Sequence, residues 1–382
     1  MLKEIEPNPK CIELFAGAGG LMLGLEMAGF NTIVATELHP DPCKTIKHNF
    51  PRVPIICTDI KNLSGLDLIH KAGLPSDAEV DLVAGGPPCQ GFSNAGLKDP
   101  DDPRNSLIGE FIRIIEEIRP RFFLMENVEG LRNLHNGRIF EKVMKHFNKT
   151  NYYIKWKVLF AADYGIPQMR KRLFIVGSRD AQEFDFPEPT HYSNNTLQKD
   201  LFNKKLKPYV TVSEALEDIP FIEQNEICTS YREMPVSEYA KSLRGEAEFL
   251  LNHQASKHRK ETAEYYALIP SGGNWLNIPE NLRKNKQGMQ RWPLNGLSRT
   301  ITTEPTDFIH PVQNRIPTIR ELARIQSFPD WYEFLGQRTT GNKMRRLGYC
   351  SQSQQVGNAV PPLLAKAVGY EIIKALLKDP IR

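Results

Sequence analysis

The segment that most narrows the choice of fold lies near the start of the chain. Cys11-Ile12-Glu13-Leu14-Phe15, an apolar run, passes straight into Ala16-Gly17-Ala18-Gly19-Gly20 and then into a stretch with Leu21, Leu25 and Ala28 at helical spacing. Strand, glycine loop and helix in that order let a ligand lie against bare backbone and the first amide donors of a helix. The glycines begin a GxGxxG pattern but Met22 occupies its last position, which argues against a pyrophosphate-binding dinucleotide site and for a cofactor without phosphates. A β-branched second strand over residues 32–36 ends at Glu37, 20 residues after Gly17, where a carboxylate can accept both hydrogen bonds of a ribose diol. A third strand, residues 53–57, ends at Thr58-Asp59-Ile60. Successive strands ending in polar groups along one edge predict an α/β sheet that holds a nucleoside, with ribose on Glu37, an adenine amino group on Asp59 and the ring against Leu38 and Ile60. A surface position for Glu37 and a helix N-cap for Asp59 are the plainer readings.

Val80-Asp81-Leu82-Val83-Ala84 reads as a buried strand delivering Gly85-Gly86-Pro87-Pro88-Cys89-Gln90-Gly91-Phe92-Ser93. Two prolines restrict the backbone before the thiol, and the carboxyl end of a central strand is where open α/β sheets place their chemistry. Cys89 is a candidate nucleophile there; a buried structural thiol is the alternative that this segment leaves open. Residues 105–118 carry apolar side chains at 107, 111, 114, 115 and 118, an amphipathic helix stopped by Pro120 whose first turn can close over the cofactor edge. Arg121-Phe122-Phe123-Leu124-Met125 then runs to Glu126-Asn127-Val128. A glutamate ending a strand beside the cysteine strand shares its crevice, and partial burial raises its pKa toward a value suited to donating a proton. Capping the next helix is its plainer role. In Gln168-Met169-Arg170-Lys171-Arg172 the two arginines alternate, so in an extended segment they point the same way. They form a solvated basic edge, or they lower a thiol pKa, hold a phosphate, or fork onto a carbonyl and a carboxylate.

The chain has 382 residues, 40% hydrophobic and 25% charged, enough for two to three domains or one large domain with an insertion. No apolar run approaches membrane-spanning length, and Met1 to Lys10 includes two acids and two prolines where a signal peptide is apolar, so a cytosolic protein is expected. The six cysteines show no CxxC pair, so neither a disulfide framework nor a metal site is expected.

Taken together, Phe15-Ala16-Gly17-Ala18-Gly19-Gly20, Glu37, Asp59-Ile60, Gly86-Pro87-Pro88-Cys89-Gln90-Gly91-Phe92-Ser93, Arg104-Asn105-Ser106-Leu107, Glu126-Asn127-Val128 and Gln168-x-Arg170-x-Arg172 resemble the DNA (cytosine-5)-methyltransferase family. After a long gap the resemblance resumes with Arg320-Glu321-x-x-Arg324-x-Gln326 and Gly357-Asn358-Ala359-Val360-Pro361. It implies a class I, Rossmann-like methyltransferase fold, a mixed and mainly parallel sheet with the last helix returning beside the first strand. It implies S-adenosyl-L-methionine as cofactor, held by Phe15, Gly17, Gly19, Gly20, Glu37, Leu38, Asp59, Ile60, Pro87, Leu107, Asn358 and Val360. It also implies that Cys89 adds to carbon 6 of cytosine and Glu126 relieves charge at N3. Arg172 resembles the arginine on the base carbonyl, and Arg170 the one that supports the cysteine loop and a nearby phosphate. Residues 90–96 resemble a loop that closes over a base rotated out of the duplex. Two departures stand out. Glu13 replaces the aspartate most members carry, and Leu38 stands where many place an aromatic ring.

Residues 183–315 break the catalytic pattern. Between 252 and 300 there are eight Lys and Arg against three Glu, a net of +5, whereas the whole chain is +4 and the remainder therefore −1. That basic excess is interleaved with Tyr265, Tyr266, Trp275 and Trp292, the composition of a loop-built DNA surface or, more plainly, of a charged face over core aromatics. The expected organisation is a catalytic cofactor-binding domain at 1–182, a target-recognition domain at 183–315 and a return to the catalytic domain at 316–382. The expected partner is double-stranded DNA, met by a monomer in the bacterial cytosol, with a restriction endonuclease as functional counterpart. Two rivals are a tRNA cytosine-5 methyltransferase and a catalytically inactive DNA-binding homologue.

Overall fold

The computed structural model describes residues 8–88, 106–180, 183–193, 206–283, 288–339 and 348–378. The chain forms two compact units, one of residues 1–159, 171–188 and 364–382, the other of 160–170 and 189–363.

The first unit is built on a sheet of β1 (Lys10–Leu14), β2 (Asn31–Glu37), β3 (Ile55–Cys57), β4 (Leu82–Gly85), β5 (Phe122–Val128), β6 (Tyr153–Phe160) and β8 (Lys171–Ser178), in the order β3-β2-β1-β4-β5-β8-β6. β3, β2, β1, β4 and β5 pair parallel to one another, and β8 pairs antiparallel to β5, which gives the mixed, mainly parallel sheet that the sequence implies. Helices α1 (Gly20–Ala28), α2 (Pro40–Asn49), α3 (Gly65–Lys71), α4 (Ser106–Ile118) and α5 (Arg138–Phe147) accompany the strands. β4 is buried at every position, as a strand covered on both faces must be. On α4, Phe111, Ile114 and Ile115 are fully buried, and the helix stops where Arg119 turns left-handed (φ 53°) ahead of Pro120.

Phe123 of β5 is the centre of this core, stacked on Phe147 at 4.7 Å and tilted against Tyr152 at 5.2 Å. Its ring lies over Gly177, the residue opposite it on β8. A Cβ at 177 would stand 2.0 Å from that ring, so Gly177→Ala is expected to overpack the core and destabilise the protein by about 1–3 kcal/mol. Denaturant unfolding followed by Trp fluorescence reads this as a lower midpoint. An unchanged midpoint would mean that the ring can move aside.

The second unit contains the short strand β7 (Gln168–Met169), which pairs with Ser298–Arg299, and helices α6 (Val212–Leu216), α7 (Glu238–Arg244), α8 (Lys260–Ala267), α9 (Ile319–Ile325) and α10 (Gln352–Asn358). Its interior is unusually ionic: α9 is buried along its whole length, with Arg324 bridging Asp218 at 3.0 Å and Asp330 at 2.6 Å. The last helix, α11 (Pro362–Leu376), brings its residues from Leu364 onward into the first unit. There Gly369 lets it approach α1 so closely that a Cβ would sit 2.9 Å from Leu25. No helix among the described residues is long and apolar enough to cross a membrane.

Candidate active site

Because β1 to β5 run parallel, their carboxyl ends share one edge, and the order reverses between β1 and β4, the crevice where open α/β sheets bind ligands. At the end of β1 the chain turns through left-handed Phe15 (φ 55°), Gly17 (φ 55°) and Gly19 (φ 74°) before entering α1. A Cβ at Gly17 would meet nothing within 4 Å, so the loop borders open space. Both carboxylate oxygens of Glu37, at the end of β2, are oriented by main-chain donors: Gly17 N–H at 2.9 Å and His39 N–H at 2.9 Å. The 20-residue spacing seen in the sequence is thus a direct contact, and each oxygen keeps lone-pair capacity for a further donor. Asp59 accepts from the Lys61 main chain at 3.0 Å and caps a short 3-10 turn, Ile60–Asn62. Leu38 is 55% exposed, whereas Ile60 packs into the core. Gly20 is buried in the first turn of α1 and Leu107 half-buried in that of α4. Glu13 points inward from β1, and burial pushes its carboxyl well above the usual range, against the opposing effect of a hydrogen bond from the Met22 main chain.

At the ends of β4 and β5 a second group assembles. Glu126 lies opposite Phe174 and Val128 opposite Arg172 on β8, so the Glu126 and Arg172 side chains are diagonal neighbours on one face. They meet with Arg172 Nε 2.8 Å from Glu126 Oε1, both side chains nearly buried. Arg172 Nη1 also donates to the Lys171 carbonyl at 2.8 Å. Arg172 thus contacts a carboxylate and a main-chain carbonyl at once. Burial pulls the Arg172 guanidinium below its ordinary value while Glu126 acts the other way, and the group stays cationic. Asn127 Nδ2 donates to the Pro87 carbonyl at 3.1 Å, and a Cβ at Gly86 would come within 3.1 Å of Glu126 Oε2. The two residues that lead toward Cys89 are therefore fastened against Glu126-Asn127. Cys89 and the loop 90–96 lie outside the described residues, as do Arg104 and Asn105.

The expectation that Arg170 and Arg172 point the same way is corrected. The segment is not one strand: β7 ends at Met169 and β8 begins at Lys171. Arg172 belongs to the first unit, while Arg170 is fully buried in the second, donating to the carbonyls of Ile301 at 3.0 Å, Gly357 at 3.0 Å and Ala359 at 2.9 Å. Asn358 and Val360 also belong to the second unit. In the basic window, Tyr265, Tyr266 and Trp292 are core residues, and Arg291 is buried on the carbonyls of Ile269, Tyr266 and His310. Lys257, Arg259, Lys260 and Arg299 remain exposed. Sequence reasoning assigned no role to Asn127, although it stands in the Glu126-Asn127-Val128 motif, or to the His39 amide, whose signal is its place two residues after Glu37.

A family model described as C-5 cytosine-specific DNA methylase matches residues 9–374. Type II methyltransferase M1.HphI of Haemophilus parahaemolyticus is 36% identical over 369 residues, 95% of this chain and 86% of that protein. Type II methyltransferase M.DdeI of Desulfomicrobium norvegicum is 35% identical, covering 94% of this chain and 88% of that protein. Among solved structures, one described as a DNA modification methyltransferase encoded within an E. coli prophage superposes with a TM-score of 0.76 at 28% identity, over 97% of this chain and 100% of that one.

Proposed function

The chain belongs to the C-5 cytosine-specific DNA methylase family and is a DNA cytosine-5 methyltransferase, and from that premise we propose that Cys89 is its nucleophile, that Glu126 and Arg172 engage the target base, and that the edge formed by β1 to β3 holds the cofactor. The observation that carries this reading is the Glu126–Arg172 pair at 2.8 Å, with Asn127 holding the Pro87 main chain that leads to Cys89.

Carbon 5 of cytosine is a weak nucleophile while the ring is aromatic. The Cys89 thiolate forms a bond to carbon 6, and the ring electron pair moves toward N3, where the Glu126 carboxyl supplies a proton; the product is an enamine. Arg172, anchored through Nε and Nη1, directs its guanidinium edge to the base carbonyl. At the end of the cycle carbon 5 loses a proton and the thiolate leaves, restoring aromaticity. The base must leave the helical stack to reach these groups.

The residues present fit S-adenosyl-L-methionine. The Gly17 loop borders open space, Glu37 has two oriented acceptor oxygens for a ribose diol, and Leu38 offers exposed apolar surface at the same edge. When bound, the cofactor supplies an electrophilic methyl group. Phe15, Gly19, Gly20, Asp59, Ile60, Pro87 and Leu107 complete the proposed set in the first unit, and the resemblance adds Asn358 and Val360. Glu37→Ala removes two ribose acceptors together with the anchor of the Gly17 and His39 amides. It is expected to raise KM for the cofactor about ten- to a hundredfold, with KM for DNA little changed; steady-state kinetics in both substrates check this.

Residues 183–315 are proposed as the target-recognition domain between catalytic segments 1–182 and 316–382, supported by the exposed cations of the 252–300 window. The second compact unit is wider than that segment, since it also takes in 160–170 and 316–363, and of the last segment only residues from 364 onward belong to the first unit. The names of the bacterial relatives, Type II methyltransferases, support a modification enzyme paired with a restriction endonuclease in the bacterial cytosol. A monomer is the proposed form. Methyl transfer from labelled cofactor to duplex DNA, with tRNA as the competing acceptor, followed by bisulfite sequencing of a methylated plasmid, tests the whole reading. Transfer to tRNA alone, or to neither, would overturn it.

A further inference from the structure

We propose that Gln168, Arg170 and Gln326 are positioning residues that fix the turn carrying Asn358, and that through this turn they set cofactor affinity; the inference rests on the assignment of Asn358 to the cofactor. The turn is the end of α10, where the last carbonyls run out of helical donors, although the Val356 carbonyl accepts from the Ala359 N–H at 3.3 Å. Val356 and Ala359 carbonyls accept from Gln326 Nε2 at 2.8 and 3.2 Å, and Gly357 and Ala359 carbonyls accept from Arg170 Nη2 at 3.0 and 2.9 Å. The donors are themselves locked: Gln168 Nε2 donates to Gln326 Oε1 at 2.7 Å, Ile301 N–H donates to Gln168 Oε1 at 2.9 Å, and Arg170 Nη1 donates to the Ile301 carbonyl at 3.0 Å. Gln168, Arg170 and Gln326 are all fully buried.

The other side of the turn is closed as well. A Cβ at Gly357 would stand 2.3 Å from the Thr302 carbonyl, so the backbone there is pressed against its neighbour and only glycine fits. From 355 to 362 every residue is buried except Asn358, which is exposed. The hub thus grips the main chain on both sides of one residue and leaves that side chain presented outward. Ordering of this kind, made in advance by buried donors held on main-chain carbonyls, spares the ligand the entropy of arranging the turn on binding. It also gives the buried Arg170 guanidinium a role through the main chain that it holds.

The test uses the full chain and compares Gln326→Leu, Arg170→Lys, Asn358→Ala and the double variant Gln326→Leu/Asn358→Ala in steady-state methylation of duplex DNA and in equilibrium binding of S-adenosylmethionine by calorimetry without DNA, where Kd for the cofactor is expected to move with its KM. The expected result is an approximately tenfold rise in KM for S-adenosylmethionine in Gln326→Leu, equal to about 1.4 kcal/mol, with KM for DNA within twofold. Arg170→Lys keeps the charge but loses the fork and is expected to shift in the same direction. Because the hub acts through Asn358, the double variant is expected to be no worse than the poorer single one. If Asn358→Ala leaves KM for the cofactor unchanged, the assignment of Asn358 is wrong and the inference falls with it. If Asn358→Ala raises that KM while both hub variants lower only kcat or the active fraction, the assignment stands and the positioning role is overturned.

Discussion

Cys89→Ala is expected to lower methyl transfer by roughly 10⁴-fold or more while leaving affinity for the target duplex within a few-fold of the parent enzyme. The magnitude follows from the chemistry, because without addition at carbon 6 the ring offers no nucleophile at carbon 5, and the remaining groups cannot substitute for a covalent step. Binding is expected to survive because the exposed cations proposed to meet DNA, Lys257, Arg259, Lys260 and Arg299, make no use of the thiol. A duplex carrying 5-fluorocytosine at the target position sharpens the result: fluorine cannot leave as a proton does, so the parent enzyme stalls as a denaturation-resistant adduct and Cys89→Ala forms none. An adduct with the alanine variant, or near-parental turnover, would remove Cys89 from the nucleophile's place.

Glu126→Gln is expected to reduce kcat by about 10² to 10⁴-fold, the range for loss of a positioned acid, with little change in KM for the cofactor. Glutamine preserves shape, so Arg172 keeps an acceptor close to Nε and the fold is not left with an unpaired buried guanidinium. Glu126→Ala lacks that safeguard, and breaking a nearly buried pair costs about 3–5 kcal/mol in stability. The two side chains touch at 2.8 Å, so the losses in Glu126→Gln and Arg172→Met are expected to combine to much less than their product in the double variant. Rates near those of the parent for Glu126→Gln would show that proton supply to N3 comes from elsewhere.

The legible parts of this protein are those written in local pattern. The strand leading to Glu37, the apolar run ending at Glu126-Asn127-Val128 and the stripe of α4 at 107, 111, 114, 115 and 118 are all visible because burial imposes a period on neighbouring residues. The basic window at 252–300 shows the opposite. Three of its aromatics, Tyr265, Tyr266 and Trp292, are core residues and Arg291 is buried on main-chain carbonyls, because composition counts charges without saying which of them find acceptors inside.

The glycine loop and Glu37 were therefore legible in sequence alone: glycines free to turn left-handed and an acid 20 residues on are local features of the chain, and the Gly17–Glu37 contact meets both. Partnership was not. Arg170 and Arg172 are two residues apart and look alike, yet one is held by the carbonyls at 301, 357 and 359 and the other by Glu126. Only the tertiary structure decides that, because a buried guanidinium settles where it finds acceptors, and the carbonyls at 301, 357 and 359 and the carboxylate of Glu126 are supplied by segments far away in the chain.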